Sequence, residues 1–252
     1  MNQMTFTAEL ARTPRFAADV EGTHDHDVWR DVATMLRERT YTTGSGTVRV
    51  RADWSAVHPE ATIVEVELDV VDEGASISAH DSASFVERFF HDLFLIVNIA
   101  APGAFGGIVS TAGDVRVSEL AFDASPFEFG WVAALRGGGG TVTALPLENV
   151  ISWHDELQLG TREIAEGAIE EVLFHLLQIA RSGDEWATRV RLTRCLDALA
   201  IGDDAMRRAL DVTRAPVLHP LHDVDEAEAI RAVDQAMSLV LATLQASVNA
   251  AR

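Results

Sequence analysis

The stretch RAPVLHPLH (214–222) holds the two residue types that acid–base chemistry on a phosphodiester needs. Histidine exchanges a proton near neutral pH, and arginine grips an anionic oxygen through fixed N–H donors. Arg214 and His219 stand five positions apart. On an unbroken helix that spacing turns them about 140° away from each other, off any shared face. Pro216 disfavours helical geometry at Ala215 and removes a backbone donor, so a break here swings His219 back towards Arg214. Composition alone yields roughly two matches to an arginine and a histidine separated by four to six residues. The chain holds two, the other being Arg51 with His58, so position in the fold must carry the assignment.

Positions 189–214 carry six arginines (189, 191, 194, 207, 208, 214) against four acids, a positive excess within a chain of net charge −19. Such a chain repels nucleic acid and anionic membranes on average. Arg194, Arg207 and Arg208 are therefore where RNA phosphates are expected to approach. The opposing reading is local pairing, because Asp211 lies within helical reach of Arg207, Arg208 and Arg214. Every cation is arginine, which biases each one towards bidentate pairing.

Other stretches weigh less. THDHD (23–27) partly resembles the THxHxDH motif of the metallo-β-lactamase fold, but Val28 and Trp29 stand where Asp and His are needed. It reads better as the cap of a helix, and no metal or cofactor is expected. RGGGG (136–140) precedes TVTALP, a strand pattern, so a hairpin loop is expected and not a phosphate cradle. His80, His91, His154 and His175 are scattered and read as core or boundary histidines. Cys195, on an apolar stripe with Leu192, Leu196 and Leu199, reads as a buried inert thiol.

The elements that must position these groups fall into two parts, an α+β domain at 1–147 and a helical bundle at 148–252. Alternation predicts strands through Phe6–Leu10, Val48–Trp54 and Val64–Val70, and shorter ones at 107–112, 114–122, 130–135 and 141–145. Helices are expected over about 26–39 and from near Asp81. After Pro146 helical patterns cover 148–158, 161–181, Asp184 to Gly202, and Asp203 to Pro216. The last begins at DVDE (223–226) and turns Ile230, Val233, Met237, Val240, Leu241, Leu244 and Val248 inward. A bundle of four or five antiparallel helices is expected. MNQMTFTAEL has no basic and no apolar signal region, and FFHDLFLIVNIAAPGAFGGIVS is too interrupted to span a membrane. A cytoplasmic setting is expected.

An arginine ending the penultimate helix, a histidine in the following break and a capped final helix resemble the HEPN superfamily of small helical bundles. The resemblance covers roughly 161–250. It implies a homodimer and, for Arg214 and His219, metal-independent endoribonuclease chemistry in a bacterial defence or toxin system. Members cleave RNA at a site formed where two protomers meet. Here Ala215 follows the arginine, where the family commonly has a polar residue. The alternative is a non-enzymatic binding or assembly protein whose bundle only dimerises. The first domain resembles no family, and its ligand or protein partner is open.

Overall fold

The computed structural model describes residues 3–12, 28–54, 62–113, 122–137, 140–157, 167–182, 184–202, 206, 210 and 226–252. The protein is α+β. Its residues form two compact units that interleave in sequence, 1–122 with 144–163, and 123–143 with 164–252. This differs from a single cut at 147, because α3 (Ser125–Leu135) packs on α7 (Glu226–Ala250) while α4 (Leu147–Glu156) packs on α1 (Val28–Met35) and α2 (Ala79–Ala100).

The first unit is a sheet with helices on one face. Strands β1 (Gln3–Arg12), β2 (Glu38–Thr42), β3 (Thr47–Asp53), β4 (Ile63–Glu73) and β5 (Phe105–Gly113) are ordered β2-β3-β4-β1-β5. All neighbours run antiparallel. Phe6, Ala8, Leu10, Val48, Val50, Val64, Val66 and Leu68 are buried, so the alternation read from the sequence marks the core face correctly. Helix α2 contacts β3, β4 and β5. Its start is a reciprocal cap: the Ser78 hydroxyl accepts from Asp81 N–H, and the Asp81 carboxylate accepts from Ser78 N–H. Asn98 finishes the other end. Its Oδ1 accepts from Gly103 and Phe105 N–H, and its Nδ2 donates to the Phe94 and Phe105 carbonyls. One buried amide thus fixes the turn from α2 into β5.

The helix expected over 26–39 ends at Met35, and β2 follows within three residues. ERTYT buries only Tyr41, too weak a pattern to announce a strand, and its partner β3 makes it one. The hairpin between them is closed by Thr43 N–H to the Gly46 carbonyl, 2.8 Å. A Cβ on Gly46 would lie 2.6 Å from the Gly74 carbonyl carbon, so only glycine fits there.

The second unit contains α3, α5 (Ala168–Ser182), α6 (Glu185–Ala198) and α7; α5 packs on α6, and α7 on α3 and α6. Asp184 caps α6 by accepting from Ala187 N–H, as its position suggests. Three expectations fail here. Residues 130–135 belong to helix α3, which is apolar on all sides and so shows no helical stripe; Pro126 in its first turn and Gly130 against Met237 set it in place. RGGGG does not join two strands: Gly137, at φ 79°, follows that helix in the left-handed conformation, and Gly138 and Gly139 lie outside the described residues. Residues 141–145 are not a strand either. Thr143 forms both its backbone hydrogen bonds with the Gln245 side chain of α7, at 3.0 and 2.7 Å. The expected strand at 114–122 and the helix from Asp203 lie outside the described residues, apart from buried Phe122, Met206 and Leu210. No helix among the described residues is long and apolar enough to cross a membrane.

Replacing Asn98 by alanine strands two buried N–H groups and one carbonyl. A loss of about 3 kcal/mol is expected at roughly 1 kcal/mol or more per unmade bond, measured by urea unfolding. A variant as stable as wild type contradicts the role given to this amide.

Candidate functional site

Arg207, Arg208, Arg214 and His219 lie outside the described residues, as do THDHD and His58. Arg194 is described and stands exposed on α6. Its neighbours on that helix are engaged: Arg189 bonds Glu185, and Arg191 Nη1 lies 3.2 Å from His175 Nδ1. Arg51, the other arginine that matched the spacing, pairs with Glu38 across β2 and β3 at 2.8 Å.

His175 on α5 is the described histidine with an arginine partner in the helical unit. Nδ1 faces Arg191, a pure donor, and so accepts; Nε2 then carries the hydrogen and faces Glu171 Oε1 at 3.6 Å. Burial, then the Arg191 charge, lower its pKa, so the neutral ring is held between two partners. Cys195 is fully buried, and burial pushes its thiol up to about 12, the inert thiol expected.

The densest polar cluster lies in the sheet unit and escaped the sequence reading. Asp92 sits in the middle of FFHDLFLIV, the most apolar part of α2, and its side chain is 11% exposed. Arg39, from β2, reaches it with Nε at 3.0 Å and reaches Asp155 of α4 with Nη2 at 2.6 Å. Tyr41, two positions along the same strand, donates its hydroxyl to Asp92 Oδ2 at 3.1 Å. Burial, then the Asp92 charge, hold that phenol well above its ordinary pKa, so it remains a donor. Arg88 lies over the Tyr41 ring, 4.6 Å from its centroid. His154 of α4 completes the group: Nδ1 is 3.5 Å from Arg39 Nη2, and Nε2 is 3.7 Å from Asp92 Oδ1, with no hydrogen-bond partner among the described residues. The available signal was Asp92 itself, a carboxylate on an apolar helix that requires a cation from elsewhere. Reading Arg39 as the end of a helix hid that cation.

These groups neutralise one another, and their effect is to tie β2 to α2 and α4. No group of three or more His, Cys, Asp or Glu residues suited to a metal occurs among the described residues.

The helical unit offers a different kind of site. Glu128, Phe129, Val132, Ala133 and Arg136 of α3, with Arg231, Asp234 and Gln235 of α7, line an open groove of about 390 Å³. Its apolar lining comes from α3, and its charges come as two acids and two arginines. Phe129 is 54% exposed. Ile230, expected inside the bundle, is 49% exposed beside Arg231. Burial raises the Asp234 pKa, against the opposing Arg136 charge. Such a surface suits a protein partner better than proton-transfer chemistry.

Burial, with Arg39 adding and Asp92 opposing, lowers the His154 pKa in the folded chain from its ordinary value of 6.5. The unfolded chain therefore takes up the proton first. The stability this histidine contributes is complete above the ordinary range and is lost as pH falls through it to the folded value. Thermal midpoints are expected to drop between about pH 7.5 and about pH 5, and His154→Gln to flatten part of that slope. His175 supplies a second part in the same direction. An unchanged slope in His154→Gln contradicts the assignment.

Comparison with protein-family models, curated proteins and solved structures finds no match to this chain.

Proposed function

We propose that the chain is an assembly protein whose helical unit joins two copies of itself. The observation that carries this reading is where large apolar side chains remain in water. Among the described residues these are Met35, Ile63, Phe129, Leu135, Phe174, Trp186 and Ile230. Five of the seven belong to the helical unit. Single exposed apolar residues are ordinary, but five aromatic or aliphatic groups on a few short helices favour contact with protein. Sedimentation equilibrium of the full chain tests this reading. Twice the chain mass is expected at tens of micromolar, and a monomer up to about 100 μM overturns it.

A second reading, the HEPN-like endoribonuclease, is favoured by one described feature. Arg194, one of the arginines where RNA phosphates were expected to approach, stands exposed on α6. In this reading Arg214 holds the phosphate and His219 takes the 2′-hydroxyl proton. Incubation with total RNA is expected to give fragments with wild type and none with His219→Ala. Intact RNA in both ends this reading and leaves the assembly reading standing.

A further inference from the structure

We infer that the groove between α3 and α7 is the self-association surface, with the same groove of a second copy as its occupant. The inference rests on the assembly reading and names its interface.

Charge is the first argument. Two chains of net charge −19 repel wherever acidic faces meet. The groove escapes this, because Arg136 and Arg231 balance Glu128 and Asp234. A patch carrying equal numbers of both signs bears no net repulsion towards its own copy. Across a two-fold axis residue i meets residue j and j meets i, so each arginine of one copy can face an acid of the other. On the wet face of the sheet unit Glu9 sits directly opposite Glu65 and Asp53 directly opposite Glu67, while Arg49 and Arg51 are already paired with Glu38 and Glu73 of the same chain.

Apolar content is the second argument. Phe129, Val132 and Ala133 of α3 are the apolar part of the lining, and charged residues come from both helices. Apolar contact area accompanied by charged groups is the composition of a protein interface. Phe129, more than half exposed, is the anchor that a partner groove would cover. Leu135 and Ile230, which adjoin Arg136 and Arg231 in sequence, are also exposed.

Close helix packing is the third. Gly130 lets α3 approach α7 so tightly that a Cβ there would fall 2.5 Å from Met237 Cγ. The face is therefore built on a rigid helix pair, which lowers the ordering cost of association.

The test is sedimentation equilibrium on the full chain with paired charge variants. Glu128→Arg with Asp234→Arg makes the groove wholly positive, and Arg136→Glu with Arg231→Glu makes it wholly negative. Each is expected to be monomeric alone, and an equimolar mixture to recover the dimer. Recovery on mixing shows that both variants are folded. Phe129→Glu is expected to weaken self-association about 30-fold or more. A dimeric wild type with both charge variants still dimeric overturns this interface and leaves the assembly reading intact. A dimeric wild type whose variants stay monomeric when mixed, with native circular dichroism, overturns the two-fold pairing. A monomeric wild type overturns the assembly reading itself.

Discussion

Asp92 is a carboxylate in the apolar run of the long buried helix α2, and the sheet unit is arranged around neutralising it. A buried charge is tolerated only when paired and hydrogen-bonded. Arg39 and Tyr41 supply those partners from one short strand. For them to reach, β2 must take up its place on the sheet, which its own sequence barely demands. Arg39 extends the tie to Asp155 and His154, so α4 is held by the same cation. Breaking a buried pair of this kind costs about 3–5 kcal/mol, whereas the half-exposed Asp155 contact contributes far less. The strength of the cluster lies in the arrangement it enforces: strand, core helix and a helix from much later in the chain converge on one carboxylate.

The helical unit follows a different logic. Its interior is conventional, with Val172, Leu173, Leu176, Leu192, Cys195, Leu196, Leu241 and Leu244 buried. Its exterior retains aromatic and aliphatic groups, and the α3–α7 groove balances its charges in an otherwise acidic molecule. High net charge keeps chains apart in general, which makes a locally neutral apolar groove the place where two can meet. In the proposed assembly, stability and association use separate parts of the chain: an internal charge cluster in the sheet unit, and an external groove in the helical one.

Periodicity revealed what repeats. The strands at β1, β3 and β4, the long helix α2 and the helices α5, α6 and α7 were all legible, because each places apolar residues at regular intervals over many residues. What stayed hidden was short or non-periodic. β2 buries one side chain. α3 is apolar all round, so its residues mimicked a strand. TVTAL alternates like a strand, yet its hydrogen bonds at Thr143 go to a glutamine side chain of α7, a partner that local pattern cannot reveal. The candidate sites divide in the same way. Arg214 and His219 were singled out by type and place, whereas Arg39, Asp92 and His154 are far apart in sequence and meet only through the fold. The groove was invisible because packing of α3 on α7 creates it, and the α3 residues 130–135 read as a strand.

Amide hydrogen exchange of the wild-type chain at two concentrations tests the central claim most directly. If the α3–α7 groove joins two copies, amides of residues 128–136 and 230–236 gain protection as concentration rises through the dissociation constant, while those of the sheet unit do not change. Exchange that is independent of concentration throughout, or protection that rises elsewhere and not in these two segments, contradicts it.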